Sequence, residues 1–187
     1  TALQRFADEL AGADMSLLKK GVEWDACGWH FTDDSPLTAQ YIFVLDSLNF
    51  CFWPVSGLEY EQLAVSLRDV LQKDPNAFSA SSLLTIDSVK LQSWFPTHTS
   101  PNIDERVSRL QELGFVLDRD YQGLASNLVA QCKGSAVELV RIVIEKLQGF
   151  RDTIIYKGKL IHFYKKVKIL CGDLWAAYGR KTTQTDP

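Results

Sequence analysis

The sequence predicts an all-α domain with one short two-stranded turn. Three observations carry that expectation. Apolar residues recur at three- and four-residue spacing through most of the chain, Pro, Gly and Ser punctuate the ends of those stretches, and only the neighbourhood of Tyr156-Lys157-Gly158-Lys159 is β-prone. The 187 residues suit one domain, read as 1–179, followed by a polar tail over 180–187.

The elements follow in chain order. Leu3, Phe6, Ala7 and Leu10 predict a helix over residues 1–10, and a Gly- and Asp-rich connector with Trp24, Trp29 and His30 follows. Exposed indoles are costly, so this connector is expected to pack down. Residues 37–53 are the most apolar stretch, alternate poorly and lie between Pro36 and Pro54, which favours a buried helix over a buried strand. Leu63, Leu67, Val70 and Leu71 give an amphipathic helix over 58–73, ended by Asp74-Pro75. One or two short helices are expected over 79–95, starting at Ser82 or restarting near Asp87 with Val89, Leu91 and Trp94 facing inward. A long helix opens at Asp104, buries Leu110, Leu113, Leu117 and Tyr121, and keeps Arg106 and Arg109 on its polar side. Gly134 breaks the following helical segment, and Ser135-x-x-Glu138 reads as a capping box for the next helix. The last helix is expected over 163–178, with Val167, Leu170, Cys171, Leu174 and Trp175 at helical spacing.

Composition narrows the function classes. A net charge of -3 argues against the broad basic surface that duplex nucleic acid demands, so direct nucleic-acid binding is not expected and a small ligand fits better. Cys27, Cys51, Cys132 and Cys171 are widely and irregularly spaced, which points to reduced thiols in an intracellular, cytoplasmic protein rather than to zinc or disulfides. No apolar run reaches the ~18 residues of a membrane span. Phosphate-loop, dinucleotide and zinc-protease motifs are missing, so neither a cofactor nor a metal is expected.

Three clusters carry candidate chemistry. If residues 45–53 are helical, Asp46, Asn49 and Trp53 share a face beside Phe50 and Phe52, a set able to hydrogen-bond and stack a flat polar ring. A core segment with internally satisfied polar groups is the competing reading. Arg151-Asp152 offers a fork for phosphate or, with better fit, fixes a loop. Lys165 and Asp173 lie on roughly one face of the last helix, as a phosphate-binding lysine and a cation-stabilising carboxylate, or as a solvated basic face with an ion-paired acid.

These same blocks carry a resemblance. Residues 41–54 (YIFVLDSLNFCFWP), 58–67 (LEYEQLAVSL), 134–140 (GSAVELV) and 149–179 (GFRDTIIYKGKLIHFYKKVKILCGDLWAAYG) resemble, in order, the queuosine salvage protein family. The resemblance implies a helical bundle like the helical DNA glycosylases. It also implies hydrolysis of the N-glycosidic bond of queuosine 5′-phosphate, releasing queuine for tRNA modification through an oxocarbenium-like transition state. On that basis His30, Asp46, Asn49, Phe50, Phe52 and Trp53 bind the base, Lys165 sits near the sugar phosphate, and Asp173 is the catalytic carboxylate. The implied protein is a monomer acting on a small molecule. Where the family continues Arg-Ala-Gln after its Phe-Tyr-Lys, this chain has Lys166-Val167-Lys168, and its last residues differ from the family's acidic continuation. The chain therefore reads as incomplete at both ends relative to that family. The alternative is a non-catalytic helical module that binds a modified nucleoside or a protein partner.

Overall fold

The computed structural model describes residues 4, 24, 27–33 and 35–179. Among these the elements run α1 (Leu37–Leu48), α2 (Tyr60–Lys73), α3 (Ala80–Leu84), α4 (Ser88–Ser93), α5 (Ile103–Tyr121), α6 (Ala125–Gln131), α7 (Ala136–Lys146), a 3-10 turn (Gln148–Phe150), β1 (Thr153–Tyr156), β2 (Lys159–His162), α8 (Lys165–Leu174) and a π-helical turn (Trp175–Gly179). The domain is thus mainly helical, with β1 and β2 forming one antiparallel hairpin that pairs Thr153 with His162 and Tyr156 with Lys159. Gln4 is helical; the rest of the helix expected over 1–10, and the tail over 180–187, lie outside the described residues.

The stretch between the two prolines forms the central helix α1. Every residue from Thr38 to Leu48 is buried, which explains why no helical amphipathicity was visible in it. Helix α5 packs on α1, α3, α4 and α6, while α8 packs on α1 and α7. The buried amide of Gln40 is satisfied inside this core: it donates to Phe78 O at 2.7 Å and accepts from Ala125 N at 3.0 Å, tying α1 to two neighbouring segments.

Local capping departs from expectation in informative ways. Ser135 accepts from Glu138 N at 3.3 Å, but the Glu138 carboxylate turns to Arg141. The reciprocal capping box is at α2, where Glu59 N donates to Gln62 Oε1 at 3.0 Å. Helix α4 does restart after Asp87, which accepts from Lys90 N at 2.7 Å, yet Val89 faces solvent at 77 % exposure. Arg106, placed on the polar side of its helix from sequence, is instead 1 % exposed. Trp24 is buried and Trp29 packs partly against the core, as the connector's composition required.

Candidate active site

The site grows from the C-terminal half of α1. Asp46 is 2 % exposed, on a helix otherwise packed with Tyr41, Phe43, Leu45 and Leu48. Its nearest acidic neighbour is Asp173 of α8. Neither Asp46 oxygen nor Asp173 Oδ2 has a hydrogen-bond partner among the described residues. Burial, and then the Asp173 charge, raise the Asp46 carboxyl well above the usual carboxylate range, with Lys166 opposing. Burial also pushes Asp173 up to about 6. Burial therefore favours keeping a proton on the pair, most strongly at Asp46.

Helix α8 sets which lysine joins them. Successive residues turn by about 100°, so positions seven apart nearly eclipse while positions eight apart diverge by about 80°. Asp173 therefore aligns with Lys166. Lys165 is exposed, and Lys166 is the inward member of the pair. Lys166 Nζ donates to Gly149 O at 3.1 Å and lies 5.1 and 5.2 Å from the ring centroids of Phe50 and Phe150. Burial and the Arg109 charge lower it to about 8. Its backbone N–H donates to Asp152 Oδ2 at 2.6 Å, so Asp152 caps α8, whereas Arg151 donates to the carbonyls of Ile144 and Glu145 at the end of α7. The Arg151-Asp152 pair fixes this loop, the structural option weighed from sequence.

The segment after α1 does not continue the helix. Leu48 is its last residue, Asn49 is a half-exposed C-cap, and Cys51 takes a positive φ of 47°. Arg106 explains the break by donating to Leu48 O, Phe50 O, Cys51 O and Pro101 O, placing a cation where α1 leaves its carbonyls unpaired. The expected face shared by Asp46, Asn49 and Trp53 is lost with the helix. Trp53 is 82 % exposed, Phe52 packs partly on the core, and the Trp53–Pro54 peptide is cis. Phe50 instead lies under Arg106 and Arg109, whose guanidinium carbons are 4.5 and 4.0 Å from its ring centroid.

His30 reaches the same region from the connector. It stacks on Trp24 at 4.1 Å, its Nδ1 lies 2.6 Å from Trp24 O, and its Nε2 lies 3.0 Å from the Tyr60 hydroxyl. Burial raises the Tyr60 hydroxyl above the usual phenol range, and the Asp173 and Asp46 charges add to that rise.

Comparison with known proteins now bears on these groups. The family model described as queuosine salvage protein matches residues 29–185, a span that contains every side chain of this cluster except Trp24. The chain belongs to the queuosine salvage protein family. A Dictyostelium discoideum protein named queuosine 5'-phosphate N-glycosylase/hydrolase is 44 % identical over 142 residues, covering 76 % of this chain and 44 % of the relative. A Sphaerobacter thermophilus protein of the same name is 36 % identical over 160 residues (80 % and 50 %), and one from Mus musculus is 28 % identical over 175 (84 % and 48 %). The chain spans about half the length of the curated relatives it matches.

Within this queuosine salvage domain, α1 and α8 touch directly and the carboxyl pair is enclosed between them. Two surface concavities are formed by other residues. One of about 370 Å³ is lined by Arg151, Asp152, His162 and Tyr164; another of about 400 Å³ is lined by Arg109, Glu112 and Gly149. Neither is lined by Asp46 or Asp173. Among the described residues no three His, Cys, Asp or Glu side chains converge as a metal site requires, and no helix is long and apolar enough to cross a membrane. All four cysteines are free thiols. Sequence reasoning missed Tyr60, Lys166 and Arg106. The seven-residue spacing to Asp173 was the available signal for Lys166; Tyr60 and Arg106 act through contacts distant in sequence.

Proposed function

We propose that this chain carries the acid–base half of an N-glycosidase that cleaves queuosine 5′-phosphate to queuine and ribose 5-phosphate. The names of its relatives supply the substrate class. The observation that carries the chemistry is the enclosed Asp46–Asp173 pair beside Lys166. Breaking a base–sugar bond needs a proton for the departing base and negative charge near the sugar as it becomes oxocarbenium-like. Asp46 holds the proton, and Asp173 supplies charge or orients water. Lys165 or Lys166 meets the 5′-phosphate, and Asn49, Phe50, Phe52, Trp53 and His30 surround the deazapurine. The reduced thiols suit a cytoplasmic protein that works on a free mononucleotide.

Chromatographic detection of queuine released from queuosine 5′-phosphate tests this reading, with the Dictyostelium relative as positive control. Asp173→Asn is expected to lower turnover by about 10²–10³-fold. Lys165→Ala and Lys166→Ala then assign the phosphate contact by which of them raises KM. A chain that binds the nucleotide in calorimetry but releases no queuine is a binding module instead.

A further inference from the structure

We propose that Asp152 is a positioning residue that holds Lys166 in place from outside helix α8. Its functional weight rests on the glycosidase reading, with Lys166 rather than Lys165 meeting the 5′-phosphate. The start of a helix is an unfavourable place for a lysine, because free first-turn N–H groups and the helix dipole make that end positive. Helix α8 nevertheless opens with Lys165 and Lys166 and has no acidic residue in its first turn. Its N-cap is Tyr164, at a φ of 54°, whose side chain makes no capping hydrogen bond. The usual sources of a cap are therefore missing from the helix itself.

Asp152 supplies what α8 lacks. Its Oδ2 accepts the Lys166 backbone N–H at 2.6 Å from 14 positions earlier in the chain. The carboxylate is itself held on both sides. Asp152 O accepts from Phe163 N at 2.9 Å, beside the Thr153–His162 pair that opens the hairpin. The hairpin thus folds the chain back until residue 152 meets the first turn of α8. On the other side, Arg151 is fastened to the carbonyls of Ile144 and Glu145.

The far end of Lys166 is anchored to the same short stretch. Gly149 O accepts from its Nζ at 3.1 Å. That carbonyl is immobilised in turn: Arg109 donates to it at 2.8 Å, and the Glu112 carboxylate accepts from Gln148 N and Gly149 N at 2.8 and 3.1 Å. Main chain and ammonium of one lysine are therefore both tied to residues 149–152. An ammonium has three N–H groups, and Gly149 O engages one of them. Among the described residues no carboxylate forms an ion pair with Nζ, and the rings of Phe50 and Phe150 lie 5.1 and 5.2 Å away. A half-buried cation with two donors left and no counter-ion is completed by an anionic ligand. Asp152 removes its freedom to swing away from that ligand.

Calorimetry with queuosine 5′-phosphate and with queuosine, alongside the Nζ signal of Lys166 in nitrogen-15-labelled protein, tests the assignment. Asp152→Ala should weaken binding of the phosphorylated ligand about tenfold, leave queuosine unchanged, and shift and broaden the Lys166 signal. Asp152→Asn keeps an acceptor for the Lys166 N–H and should restore most of the loss. In a Lys166→Ala background, Asp152→Ala should weaken binding no further. A folded Asp152→Ala that keeps the wild-type Lys166 signal, or the wild-type preference for the phosphorylated ligand, overturns the proposal. Should that variant fail to fold by circular dichroism, Asp152→Ser, one bond too short to reach the amide, decides by the same two readouts. A wild type that binds both ligands equally counts against the phosphate contact, and the Lys166 signal then decides the positioning role by itself.

Discussion

A carboxyl in an apolar core has to be neutral or partnered, because an isolated charge there costs far more than folding can supply. Asp46 meets that requirement by keeping its proton, and stability depends on pH as a result. Both native pKa values lie above their ordinary value of 3.8, so the folded chain holds protons that the unfolded chain has released. The Asp173 contribution is complete below about pH 4 and is lost as the pH rises through about 6. The thermal midpoint, followed by circular dichroism, should fall by roughly 5 °C between pH 4 and pH 7 from this pair. Asp46→Asn, which cannot ionise, should flatten that slope. The sequence exposed Asp46 as an acid among aromatics, and its burial bears out the alarm that such a residue raises. It did not expose the choice between Lys165 and Lys166, because a one-residue phase on a helix depends on where the neighbouring helix lies.

At the level of elements, close approach of backbones is the controlling feature. A methyl group at Gly114 of α5 would sit 2.8 Å from Ala80 O and from Leu84 N, and 2.9 Å from Leu83 Cβ. Two of those atoms are backbone and cannot swing aside, so α3 rests on α5 only because position 114 lacks a side chain. Gly114→Ala should cost about 1–3 kcal/mol in urea unfolding. Gly172 of α8 meets open space, and Gly172→Ala should gain about 0.5–1 kcal/mol in the same measurement. Element types were readable wherever apolar spacing was regular, as in α2, α5 and α7, and in the hairpin, whose turn chemistry marked it. The end of α1 was unreadable. Its apolar run continues through Phe52, and what stops the helix is Arg106, more than fifty residues away in sequence.

Across the whole molecule, the end of the central helix and the loop that leaves it are held to the start of α5 by one guanidinium. Arg106 is buried and meets four main-chain oxygens from two separate stretches, with no carboxylate hydrogen-bonded to it among the described residues. Burial lowers it to about 10, which still leaves it charged at neutral pH. Arginine has five N–H groups in a rigid plane, whereas lysine has three on a single atom, so lysine leaves at least one oxygen stranded in the interior. The position consequently behaves as a lock with one key. In a saturation library sorted for protease-resistant protein, every codon but those for arginine should vanish there. Neighbouring Glu105, on the solvent side, should drift freely among polar residues.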